Sequence, residues 1–169
     1  MPPEPGRRAR PGAPVGPVPI TPGSVAPVGT RVLAYVLDTL VLLAAVGVGS
    51  LIRADVPAAP ALLAAVAAVA QWVAEARTGA TVGNAVTGIR TLSATTGRPA
   101  GLGAVLLRQV VVGAGALLLV VGQWVVVASG AWDRSPAQRG WHDRAAGTVV
   151  LRARAVRRGP ALATARSTG

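Results

Sequence analysis

The chain has 169 residues, of which 51% are hydrophobic and 14% charged, and its formal net charge is +11. A mean hydropathy of +0.52 and a charged fraction well under the roughly 25% of soluble domains describe one membrane domain with polar tails. There is no Cys, which excludes disulfides, thiolate metal sites and cysteine nucleophiles. All 17 basic residues are Arg, which excludes lysine chemistry such as the phosphate-gripping lysine of a P-loop.

Residues 1–28 are rich in Pro and Gly, show no period and predict a disordered tail. They lack the apolar stretch of a signal peptide. The stretch GTRVLAYVLDTLVLLAAVGVGSLI (29–52) predicts a first helix over about 32–52, long enough to span a bilayer. Pro57 and Pro60 mark a short turn, and a second helix of Ala, Leu and Val follows over about 56–76. Its small residues at spacing four, such as Ala61 and Ala65, suit close helix packing. Residues 75–103 are polar and rich in Gly and Thr, and TGIRTLSATTGRPAGL predicts a surface hairpin around its TTGRP turn. Residues 104–131 form a third apolar segment, TVVLRARAV reads as one more surface strand, and 152–169 is a basic tail. The expected fold is an all-α membrane protein with three transmembrane segments, a short β-like surface segment and disordered tails.

The charge distribution gives an orientation. Four Arg lie in the tail through Arg31, four in 75–109 and eight after residue 131, while the turn between the first two helices holds only Arg53, offset by Asp55. The positive-inside rule puts the N-terminal tail and 75–109 in the cytoplasm. The third segment has three readings. A single crossing sends the eight-Arg tail outside; a hairpin bent at Gly113–Ala116 returns it to the cytoplasm; or Ala104–Val112 lies in the interface and the rest dips in and returns. A cytoplasmic C-terminus fits the charge rule.

Two ionisable residues stand out in the first helix. Arg31 and Asp38 are seven apart, on one face but separated by about 10.5 Å of rise, too far for an easy pair within the helix. Arg31 fits the cytoplasmic edge, with Asp38 about two turns deeper. A carboxylate inside a span faces the bundle interior and has a partner; the candidates are Arg90, Arg108, Arg144, His142 or a buried water. Asp38 reads either as an architectural tie between helices or as a group with a protonation cycle.

GTRVLAYVLD (29–38) resembles the first-helix motif of the RDD family of small integral membrane proteins. TGATVGNAVTGIRT (78–91) is similar to that family's segment after the second helix, and GWHDRAAGTVV (140–150) to its closing motif. The resemblance covers about residues 29–151. Arg31, Asp38 and Asp143 match the Arg and two Asp of the family's name; Asn84 departs from it, standing where members usually carry a basic residue. The resemblance implies a multi-pass protein of the cytoplasmic membrane involved in transport or in coping with ions. It also implies that Asp143 meets Arg31 at the cytoplasmic face, leaving Asp38 for Arg90 or Arg108.

Other chemistries find little support. His142 is the single His, and no GxSxG-like turn surrounds Ser129 or Ser135, so catalysis is not expected. Neither a metal nor another cofactor is expected with so few His and Cys. Nucleic-acid binding is not expected either, because the aromatics are four Trp and one Tyr, without stacking platforms. Arg152, Arg154, Arg157 and Arg158 instead suit anionic lipid headgroups, and Trp72, Trp132 and Trp141 an interfacial belt. Two functions remain: a small transporter of cations or protons, working as a homo-oligomer, or a non-transporting scaffold for a partner membrane protein.

Overall fold

The computed structural model describes residues 20–21, 23–52, 57–117 and 119–156. The disorder expected over 1–19 and over 157–169 falls outside these residues. Two helices dominate. Helix α1 (Val28–Leu51) and helix α2 (Ala59–Thr78) are about 36 and 30 Å long at 1.5 Å per residue, and both are apolar enough to cross a membrane. Pro60 sits in the first turn of α2, where its missing N–H costs nothing. Gly79, in the left-handed region at φ 75°, ends the helix.

A short helix α3 (Val82–Thr87) follows and packs on α1. Its N-cap Thr81 accepts the Asn84 N–H at 3.1 Å. Gly83 makes the approach possible: a Cβ there would collide with the backbone carbonyl of Ala34.

The third apolar stretch is not one helix. It breaks at Leu117 into α4 (Leu102–Ala116) and α5 (Leu119–Ala128), which pack on each other. The chain reverses closely enough that a Cβ on Gly115 would lie 2.9 Å from the Gly122 carbonyl oxygen. The break falls just beyond the Gly113–Ala116 bend expected from sequence. At about 22 and 15 Å, neither arm alone matches the roughly 30 Å of hydrocarbon in a bilayer. A 3-10 turn (Ser129–Trp132), helix α6 (Trp141–Ala145) and a last strand complete the described chain.

The expected surface hairpin is replaced by a longer-range pairing. Strand β1 (Ile89–Ser93) runs antiparallel to β2 (Thr148–Arg152), with Thr91 opposite Val150. The TTGRP turn does form, Ser93 N–H reaching Arg98 O at 2.8 Å. Local pairing stops at a single Leu92–Pro99 bridge, because Pro has no N–H to extend it. β2 is no surface strand: Val149, Val150 and Leu151 are buried on both of its faces. Leu92, Val149, Leu151 and Ala137 form one core cluster, while Ile89 and Val150 pack with Ala26 and Ala34 in another.

Residues 24–26, expected to belong to the disordered tail, are ordered along the free edge of β2. Val25 bridges Leu151, and Arg152 N–H donates to Ser24 O at 2.8 Å. The start of α1 and the end of β2 therefore lie side by side.

Candidate functional site

The inner face of the sheet, α6 and the near ends of α1, α2 and α4 enclose a cluster of ionisable side chains. Asp143, in α6, is fully buried and is its node. Its Oδ2 accepts from Gly140 N–H at 3.2 Å and lies 3.3 Å from Arg31 Nη1; its Oδ1 accepts from Thr148 Oγ1 at 3.1 Å and lies 3.5 Å from Arg108 Nε. One carboxylate thus ties α1, α4, α6 and β2. Burial pushes its pKa up, but Arg108 above all, with Arg31 and the Gly140 N–H, outweighs that and holds the carboxyl below its ordinary range.

Arg31 also clamps chain segments by their carbonyls. Its Nε donates to Ala26 O at 3.0 Å and its Nη1 to Gln138 O at 2.6 Å. Gln138 stands in the left-handed region at φ 43°, within a loop organised by Asp133. The Ser135 N–H and hydroxyl and the Arg139 N–H all donate to the Asp133 carboxylate, and hold it well below its ordinary pKa. Arg144 binds Asp133 at 2.7 Å and so is not the partner of Asp38.

Arg108 is the second cation of the cluster. It donates to Glu75 Oε1 at 2.9 Å and Thr91 Oγ1 at 2.7 Å. Its Nη2 stands 3.5 Å from His142 Nε2, while His142 Nδ1 faces Val126 O at 3.2 Å. A neutral ring protonated at Nδ1 satisfies both contacts. Burial first, then the Arg108 charge, lowers the His142 pKa to about 4.

Asp38 is held differently. Its Oδ2 accepts from Thr81 Oγ1 at 2.6 Å and its Oδ1 from Gly83 N–H at 2.7 Å, so among the described residues its hydrogen-bond donors are neutral. Arg108 does not bind it, and Arg90 turns away to the Thr78 carbonyl. This corrects the expected pairing of Asp38 with Arg90 or Arg108.

Asp38 stands where two cavities meet. One, of about 50 Å³, reaches Arg31, Glu75, Arg108 and His142. The other, of about 410 Å³, lies between the helices and is lined by Thr39, Gln71, Gln109 and Gln123. Tyr35, Asp38, Thr81 and Gln109 border both. Among the described residues the buried Gln71 Oε1 has no hydrogen-bond partner there, and the Gln123 amide meets the Tyr35 hydroxyl. The smaller cavity has room for about three or four waters.

The structure thus brings Arg31, Asp143, Arg108 and His142 into one cluster, seats Asp38 at its edge, and leaves Arg90 and Arg144 outside. Glu75, where the second helix meets the polar 75–103 stretch, has no role in the sequence reading, yet it is buried in the last turns of α2. The signal was available: it is a lone acid ending an apolar run, as Asp38 is a lone acid inside one. Thr81, Thr91 and Thr148 carried no signal, because threonine is common in loops and strands alike.

Two long apolar helices, a broken apolar hairpin and a buried charge cluster point to the class of small helical membrane proteins. The chain matches the RDD family over residues 25–147, and it belongs to that family. No curated protein and no solved structure matches it.

Proposed function

We propose that this is a multi-pass protein of the cytoplasmic membrane that moves protons or small cations past Asp38. In this reading α1 and α2 span, and the α4–α5 hairpin enters part-way and returns. The N-terminus and the charged cluster face the cytoplasm, following the Arg distribution. The observation that carries the reading is the place of Asp38: a carboxylate within a long apolar helix, bordering both cavities, and hydrogen-bonded among the described residues by neutral groups. A carboxylate without a bound guanidinium is free to take a proton or a cation, as intramembrane acids of pumps do. Two spans and a partial hairpin enclose little by themselves, so the working unit is a homo-oligomer. The reading assigns no catalysis, since His142 has both ring nitrogens engaged in the cluster.

The test is flux in proteoliposomes carrying a trapped pH indicator, under imposed sodium, potassium or proton gradients. Wild type is expected to give a cation-dependent pH change that Asp38→Asn abolishes while eluting as a folded species. Absence of flux under every gradient rules transport out. A second reading, a scaffold for another membrane protein, is favoured by the exposed Leu40, Leu43, Val48, Leu62 and Val66 along α1 and α2; a stoichiometric partner with no flux would support it.

A further inference from the structure

A groove separate from the Asp38 cavities lies where α1 begins. It has a volume of about 520 Å³ and is lined by Pro27, Thr30, Ile89, Arg152 and Arg154, with Thr87 and Gly88 at its edge. Strand pairing puts it there. Arg152 lies opposite Ile89 at the end of β2, and Ala153 N–H is fixed to Gly88 O at 2.8 Å, so Arg152 and Arg154 flank the first turn of α1.

Arg152 and Arg154 bring two guanidinium groups to this groove. Among the described residues the buried Arg152 Nε has no hydrogen-bond partner, and neither Arg152 nor Arg154 has a carboxylate in salt-bridge range. No acid among the described residues lines the groove. Pro27 at the N-cap of α1 offers no side-chain acceptor to the first-turn N–H groups, which leaves their partial positive charge uncompensated. The Thr87 hydroxyl already donates to Gly83 O at 2.7 Å, so Thr30 supplies the groove's hydroxyl. Two guanidinium groups, a hydroxyl and an uncapped helix start suit a tetrahedral oxyanion, since guanidinium binds phosphate oxygens in pairs.

We propose that this groove is a binding site for a phosphate ester, supplied by the headgroup of an anionic phospholipid. The lipid as source rests on the membrane reading above. Its support is the level of the groove, at the start of a spanning helix and on the side where Trp132 and Trp141 stack while exposed, as interfacial aromatics do. A bound headgroup would offset one of the two guanidinium charges and fix the entry of α1, whatever α1 carries further in.

The experiment uses the full chain in nanodiscs of phosphatidylcholine with one-fifth phosphatidylglycerol, released into native mass spectrometry. One phosphatidylglycerol is expected to stay with each chain. Retention is expected to fall about tenfold in Arg152→Gln/Arg154→Gln and severalfold in Thr30→Val, which leaves every charge in place. Arg77→Gln/Arg134→Gln, equal in charge change but away from the groove, is expected to retain the lipid. A parallel arm measures the thermal shift given by inorganic phosphate in neutral detergent. A shift lost in the Arg152/Arg154 variant, without lipid retention, keeps the site and makes soluble phosphate its source. Equal losses in the groove and control variants, or no binding in either arm, overturn the proposal. Failure of flux leaves this result untouched.

Discussion

Asp143 and Asp38 are two carboxylates set into the same bundle and satisfied in opposite ways. Asp143 sits between two guanidinium groups, a backbone N–H and a hydroxyl, with no exposed surface. Asp38 has a hydroxyl and a backbone N–H, and borders two cavities. A charge locked by opposite charges is expensive to discharge, because its partners would be left buried and unpaired. A charge held by neutral dipoles can change protonation or exchange a cation at little cost to its surroundings. The proposed reading therefore gives architecture to the first and chemistry to the second.

The largest break in this contrast is Asp143→Ala. Among the described residues it leaves Arg31 without a carboxylate and Arg108 with Glu75 alone, and it removes the tie between α1, α4, α6 and β2. Breaking a buried pair from one side costs about 3–5 kcal/mol, so chemical unfolding in detergent should show most of the stability gone. Wild-type stability in that variant would mean the cluster is ornamental.

Acid probes the same cluster through His142. Its folded pKa of about 4 lies below the roughly 6.5 of an unfolded histidine, so between those values the unfolded chain binds more protons. The His142 contribution is present in full above pH 6.5 and is lost as pH falls toward 4. The loss is roughly 3 kcal/mol across that window. Melting curves from pH 7 to 4 should show it, and His142→Gln should flatten the slope within the window. An equally steep slope in that variant would assign the acid sensitivity elsewhere.

A smaller effect is expected where α3 presents its N-terminus to Asp38. In Gly83→Ala the new methyl meets the Ala34 carbonyl and lies 3.0 Å from Asp38 Cγ. Overpacking of this kind costs about 1–3 kcal/mol. Here it also pushes the Gly83 N–H off the carboxylate, so flux should fall more steeply than stability. Equal melting and flux would show that the approach of α3 to α1 is looser than its geometry.

How much of this was legible in the sequence depends on the range of the interaction. The two long helices could be read because twenty apolar residues say enough by themselves. The break at Leu117 was half legible, since Gly113 and Gly115 allow a close reversal without fixing its place. The sheet was misread because TTGRP advertises a local hairpin, whereas the partner of β1 lies more than fifty residues away and is chosen by the burial of Val149, Val150 and Leu151. Of the charged residues, Arg31 could be paired with Asp143 through the family resemblance, whereas the partners of Asp38 could not be read. Nothing local to Asp38 says that Thr81 and Gly83 will reach it, because a short helix after a left-handed Gly79 is what delivers them.

The smallest expected effect is the most informative. In Asp38→Asn the amide oxygen can keep the Gly83 N–H, while the new NH2 donates to Thr81 Oγ1, whose hydroxyl proton rotates away. Thr81 Oγ1 still has a lone pair for Asn84 N–H. No charge is stranded, so stability should stay within about 1 kcal/mol of wild type. The matching Asp143→Asn differs in charge rather than in hydrogen bonding. Its new NH2 can turn to Thr148 Oγ1 in the same way, but the lost negative charge leaves the buried Arg31 and Arg108 guanidinium groups facing a neutral amide. Two isosteric substitutions of the same residue type thus predict opposite outcomes, a folded protein without flux at 38 and a poorly folded one at 143. If Asn at 38 proves as damaging to folding as Asn at 143, Asp38 is a structural tie after all, and the transport reading loses its main support.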